Sequence, residues 1–117
     1  MSVSLESYRQ LALSLPEVTE EPHFDKTSFR VRKRIFTTMD IRENRACMKL
    51  NEADQDVFTR LGGDSVCPVP GAWGSQGWTY LYLDRTDADL FQDMMFAAYR
   101  QVAPRKLGLG LPPEPGH

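Results

Sequence analysis

The residues able to do chemistry fall into two groups. Between positions 26 and 49 stand eight bases against two acids, a net charge of +6, while the segments on either side each carry −4 and the whole chain −2. Six of those bases, Arg30, Arg32, Lys33, Arg34, Arg45 and Lys49, lie in or beside stretches of alternating apolar and polar residues. Guanidinium and ammonium groups neutralise phosphates. The second group is Trp78, Tyr80 and Tyr82, whose every-other spacing puts three rings on one face of a strand. Rings of this kind stack on unpaired bases. Together the two groups point to nucleic acid, and above all to a single strand. A duplex would instead favour the Arg32-Lys33-Arg34 tip, as a β-ribbon in a groove or along the backbone. The same residues also fit two other readings: a solvated sheet face, or a surface that the rings close against a protein partner or a second copy.

Other constellations offer less. Gly74-Ser75-Gln76-Gly77 has the GXXG spacing of a phosphate-clamping loop, but it precedes a strand and lacks a following Gly-Lys-Ser/Thr pattern. Hairpin geometry and close packing between Trp73 and Trp78 account for those glycines. His23 stands among Glu20, Glu21 and Asp25, where it serves packing at a sheet edge better than metal binding. Cys47, between Arg45 and Lys49, is expected on the basic face with a lowered pKa. No histidine is placed to activate it, and no serine sits in a nucleophile-elbow pattern. The expectation is a protein that is not an enzyme and that needs no cofactor and no metal.

The elements that position these residues are legible in part. Leu5, Tyr8, Leu11, Ala12 and Leu15 form one helical stripe, capped by Ser2 or Ser4 and closed by Pro16. Glu17–Asp25 reads as an acidic connector. Strands are expected at 27–32, 34–39 and 45–50, with Lys33 at the first hairpin tip and Arg42-Glu43-Asn44 in the next turn. Asn51 caps a helix that turns Val57, Phe58 and Leu61 inward and stops at Gly62-Gly63. Residues 62–77 are mostly loop, with a short edge strand at 66–69. Trp78–Leu83 is the strongest strand. Thr86 caps the longest helix, whose stripe runs through Leu90, Phe91, Met94, Met95, Ala98, Tyr99 and Val102 until Pro104 ends it.

This order, α-β-β-β-α-β-β-α, implies a two-layer α+β fold: an antiparallel sheet with its helices on one face. Parity turns Phe29, Val31, Ala46, Met48, Leu81 and Leu83 toward the helices. Ser28, Arg30, Arg32, Arg45, Cys47, Lys49, Trp78, Tyr80 and Tyr82 then face outward. The strand at 34–39 does not resolve by parity.

The 117 residues, 41% apolar and 26% charged, suit one globular domain, expected at 1–104, with a loose Pro/Gly-rich tail at 105–117. No apolar run is long enough to span a bilayer, so no membrane partner is expected. The N-terminus has no readable signal peptide, and two cysteines are too few for a disulfide scaffold. A cytoplasmic protein is the expectation.

Several segments together resemble the MmcQ/YjbR family: Leu15-Pro16-Glu17, Glu21-Pro22-His23-Phe24, Phe29-Arg30-Val31-Arg32-Lys33-Arg34-Ile35-Phe36, Met48-Lys49-Leu50, Trp73-Gly74-Ser75-Gln76-Gly77-Trp78, Leu83-Asp84 and Ala98-Tyr99-Arg100. The resemblance covers roughly residues 5–103. It implies a small bacterial single-domain protein with an α+β fold related to frataxin-like and secretion-chaperone-like architectures. Members are usually labelled DNA-binding, through fold similarity to a double-wing domain. Lys33, Lys49 and Trp78 match family positions, whereas Arg32 stands where the family usually has glycine. The frataxin-like analogy also raises iron handling, which would need Glu17, Glu20, Glu21 and Asp87 to cluster.

Overall fold

A computed structural model describes residues 3–111. The chain opens with helix α1 (Leu5–Ser14), followed by strands β1 (Val18–His23), β2 (Lys26–Val31), β3 (Arg34–Asp40) and β4 (Arg45–Lys49). Helix α2 (Glu52–Gly62) and a 3-10 turn lead to β5 (Val66–Pro68). The short helix α3 (Ala72–Ser75), strand β6 (Trp78–Tyr82) and helix α4 (Ala88–Val102) complete the domain. The six strands form one sheet in the order β1-β2-β3-β4-β6-β5, every neighbour antiparallel. Helix α4 packs across β3 and β4, α1 against β1 and α4, and α2 against β5 and α4. The architecture is the expected two-layer α+β fold, and no helix among the described residues is long and apolar enough to cross a membrane.

Local chemistry explains the helix ends. Ser4 caps α1 by accepting from the Ser7 amide, and Leu15, held extended before Pro16, ends it. Asn51 caps α2 by accepting from the Asp54 amide, and Gly63, at φ 58°, stops it. The cap of α4 is Asp87, which accepts from the Leu90 amide, and not Thr86. The Thr86 hydroxyl is buried and unpaired instead. The stripe read on α2 is narrower than expected. Phe58 is buried, but Val57 and Leu61 face out, because α2 lies over the short β5 at the sheet margin.

The acidic connector is the largest departure. Residues 18–23 pair with β2 along their whole length, from Val18 opposite Val31 to His23 opposite Lys26. Charged side chains and Pro22 mask the strand pattern, and both are features that protect an edge from further pairing. The tail also begins differently. Arg105–Gly108 forms a 3-10 turn, and Leu107 and Leu111 pack on the core, whereas residues 112–117 lie outside the described residues.

Strand β3 changes parity through a bulge. Phe29 pairs with Thr37 but Arg30 pairs with Ile35, so Phe36 is an extra residue with no partner on β2. Two consecutive side chains, Phe36 and Thr37, therefore enter the core. Phe36 meets the Tyr99 ring of α4 edge-on, 5.6 Å between centroids. The Thr37 hydroxyl donates to the Cys47 carbonyl at 3.0 Å and shares a hydrogen bond with the buried Tyr8 hydroxyl of α1. Tyr8 also donates to the Thr38 carbonyl at 2.9 Å, and burial pushes its pKa up, so it stays a neutral donor.

Replacing Tyr8 by Phe strands part of that network in the core. The expected loss is about 1–3 kcal/mol of stability with an unchanged denaturant m-value. Guanidinium unfolding measures it, and a loss under about 0.5 kcal/mol would mean that the network does not tie α1 to the sheet.

Candidate functional site

With the helices on one side, the opposite face of the sheet is open. Parity gives the inward set: Phe29, Val31, Ala46, Met48, Leu81 and Leu83 are fully buried under the helices, while Arg30, Arg45, Cys47, Lys49, Trp78, Tyr80 and Tyr82 are half-buried on the other side. Of the remaining residues expected outward, Ser28 is fully buried and Arg32 lies in the turn after β2. Register builds two facing pairs there, Arg45 opposite Tyr82 and Lys49 opposite Trp78, with Cys47 opposite Tyr80 between them. Cys67 of β5 flanks Tyr80 from the other side. The Arg45 guanidinium lies 4.0 Å from the centre of the Tyr80 ring, and the Lys49 ammonium lies 5.7 Å from that of Trp78.

The six cations read from the sequence separate into two sets. Arg32 and Arg45 are engaged by acids of the same chain. Arg32 donates to both carboxylate oxygens of Glu17, which lowers the Glu17 pKa and raises its own. Arg45 lies 3.6 Å from Asp40. Burial works against the Arg45 charge, but a hydrogen bond with Tyr82 and the fields of Tyr80, Tyr82 and Asp40 more than offset it. Tyr82 is further occupied by Arg85, 4.6 Å from its ring centre.

Arg30, Lys33, Arg34 and Lys49 form the second set, with no carboxylate partner among the described residues. Arg30 donates to Ser28, and Lys49 to the Gln76 carbonyl. The topology gathers these four at one end of the sheet. Arg30 is opposite Ile35, Arg34 is opposite Val31, Lys33 sits in the two-residue turn between β2 and β3, and Lys49 is opposite Trp78. Both turn residues, Arg32 at φ 49° and Lys33 at φ 71°, adopt the left-handed backbone that a tight hairpin turn demands. The arginine at this glycine-favouring position is held there by Glu17.

The aromatic side of the site is pinned from behind. The Gln55 amide of α2 donates to the Gly74 carbonyl and the Thr79 hydroxyl, both at 3.0 Å, which ties α3 to the start of β6. Gly77 has φ 106°, and a Cβ there would stand 2.0 Å from the Leu50 carbonyl. Gly74 is as tight, with the Val69 carbonyl 1.9 Å from a Cβ. The GXXG spacing thus follows from backbone packing, not from a phosphate clamp. This loop holds up Trp73, 62% exposed, on the same side as Trp78.

A trough of about 240 Å3 runs across the open face, with Trp73, Trp78 and Tyr80 on one side, Thr38 and Cys47 in its floor, and Phe24 at the far end. Phe24 and Trp73 were not singled out from the sequence as site residues. One lies in an acidic stretch and the other in a glycine-rich loop, where no periodicity marks a side chain as exposed. His23 sits at the end of the edge strand, its ring 4.8 Å from Phe24. Cys47 departs from its expected lowered pKa: burial pushes the thiol up to about 11, outweighing Arg45. The acids raised for iron binding are dispersed, Glu17 on Arg32, Glu20 on Arg9 and Asp87 in a helix cap. No group of three potential metal ligands stands together among the described residues.

Comparison with known proteins agrees with this architecture. The YjbR family model matches residues 13–101. The crystal structure of Deinococcus radiodurans protein DR2400, described as a DUF419 domain, is similar over 100% of this chain and 96% of that chain, with a TM-score of 0.74 and 20% identity. At that identity the likeness is one of fold. No curated protein matches the chain.

The raised thiol pKa has a direct readout. In a Cys67→Ser variant, alkylation of Cys47 by iodoacetamide should be at least tenfold slower at pH 8 than for an unhindered thiol. The rate should keep climbing with pH toward about 11. Mass spectrometry follows it, and a rate that levels off near pH 8.5 would contradict the buried, neutral floor.

Proposed function

We propose, from the premise that the chain belongs to the YjbR family, that it is a small cytoplasmic nucleic-acid-binding protein, a binding module and not an enzyme, that holds single-stranded nucleic acid on its open sheet face. The observation that carries this reading is the gathering of four cations without acidic partners at the end of the sheet where Trp78 stands: Arg30 and Lys49 on the open face, Lys33 in the turn, and Arg34 beside the turn on the side of Val31. Such cations are available to phosphates without first giving up an internal ion pair. Arg32 and Arg45 are committed to Glu17 and Asp40, so they shape the turn and the Tyr80 stack and contribute less to binding.

The single strand is favoured over the duplex by the rings. Trp78 and Tyr80 are partly exposed, and Trp73 stands clear of the surface, so unpaired bases have faces to stack on. A duplex offers no free base faces, and a hairpin with only Lys33 and Arg34 uncommitted at its tip has few contacts for a groove. The net charge of −2 keeps long-range attraction weak, so affinity depends on the local contacts.

Four phosphate contacts give a definite salt law. For a single strand, affinity should fall about fifty-fold between roughly 50 and 200 mM salt. Removing two of the contacts, in Lys33→Ala/Arg34→Ala, should weaken binding at low salt and reduce that fall to about sevenfold. Fluorescence anisotropy with labelled single-stranded and duplex oligonucleotides makes the test. Absence of binding at low salt, or binding indifferent to salt, would overturn the reading.

A further inference from the structure

The trough carries more than the reading so far has used. Phe24, at the turn between β1 and β2, is 94% exposed, and Trp73 on α3 is 62% exposed; neither belongs to the core. Both line the same trough of about 240 Å3, from opposite ends. Large rings left in water at both ends of one concavity contribute little to folding, and they are the form a stacking site takes. The floor between them is uncharged, since Cys47 is a neutral thiol and Thr38 a hydroxyl.

The polar groups around the trough match one kind of ligand. The Thr38 side chain makes no hydrogen bond among the described residues, and His23 is also on the lining, so donors and acceptors are present for the edge of a heteroaromatic ring. Lys26 lines the trough, and the Lys49 ammonium lies over the Trp78 ring that bounds it. Positive charge therefore borders an apolar slot that itself carries none, which suits a flat ring attached to an anion. Lys26 is paired with Asp25 at 3.2 Å, so of the two lysines Lys49 is the one with no carboxylate partner among the described residues, and a purely apolar ligand would leave it unmatched.

We infer that the trough is a base subsite, in which a base of a bound single strand stacks against Trp73 and Trp78 with Phe24 closing the far end, meets the Thr38 hydroxyl with its edge, and places its phosphate toward Lys49. This rests on the nucleic-acid reading and specifies where on the face the strand is held. A free mononucleotide carries the same chemistry as one residue of a strand. The strand is the favoured source because the uncommitted cations Arg30 on the face and Lys33 at the turn extend the positive surface beyond the trough.

The chain's two tryptophans, Trp73 and Trp78, both line the trough, so its own fluorescence reports occupancy. The full chain is titrated with an oligodeoxythymidylate of about ten residues and separately with thymidine 5′-monophosphate. Wild type is compared with Phe24→Ala and Thr38→Val, while anisotropy of a labelled strand reads binding independently. The strand should quench tryptophan emission. Phe24→Ala should weaken strand binding about tenfold and Thr38→Val a few-fold, with thermal unfolding unchanged in the former because Phe24 lies outside the core. The monophosphate should quench only at far higher concentration. Strand binding by anisotropy with unaltered emission, and with Phe24→Ala at wild-type affinity, would overturn the subsite and leave the nucleic-acid reading standing. A monophosphate as tight as the strand would make a free nucleotide the ligand and overturn the strand assignment. No binding of either probe would remove both.

Discussion

One extra residue in β3 decides how the two layers of this protein meet. Because Phe36 has no partner on β2, Phe36 and Thr37 both turn inward, and each is taken by a different helix. Phe36 meets Tyr99 of α4, while Thr37 bonds Tyr8 of α1 and the carbonyl of Cys47 in β4. A regular strand would put only one of them in the core, and one helix would lose its anchor. The buried hydroxyls must be satisfied in place, so the network fixes the helical layer in position as well as in depth. The Tyr99 hydroxyl extends the same logic by donating to the Pro16 carbonyl at 2.7 Å, which holds the start of β1 beside α4.

The bulge also shapes the open face. Upstream of it Ile35 faces outward beside Arg30, and downstream Thr38 faces outward between Ser28 and Cys47. The helices cover only the other side, so the outward rows are free to carry function. Ion pairs then divide the charge. Asp40 and Glu17 engage Arg45 and Arg32, and the uncommitted cations are left at the hairpin end. An acidic protein thereby presents a basic margin without a basic composition. Backbone contacts at Gly74 and Gly77, with the Gln55 amide behind them, stand the aromatic wall beside that margin.

What the residues disclosed in advance follows from how locally each feature is encoded. The alternation in β2, β4 and β6 reflects one buried face, so the inward set and the Lys49, Tyr80 and Trp78 face could be read directly. Strand β1 was hidden because an edge strand carries charge and proline where a central strand carries Val or Ile. The bulge resisted parity because it breaks the period of two that parity assumes. Ion pairing was beyond reach for a similar reason: Glu17 meets Arg32 only because β1 pairs with β2, a contact that no local pattern signals. Thr86 was misread as a cap because Asp87, one residue later, has the same capping chemistry. Phe24 and Trp73 belong to the trough by virtue of the sheet's assembly, which brings the β1–β2 turn and the short helix α3 to one surface.

The central claim is that the sheet face opposite the helices holds a single strand. The most direct measurement is an amide and indole chemical-shift map of the labelled protein, with and without a short single-stranded oligonucleotide. The account predicts shifts at both indole groups and at the amides of Thr38, Cys47, Lys49 and Tyr80, with α1 and α4 unmoved. Shifts confined to the helical layer, or none at all at saturating strand, would contradict it.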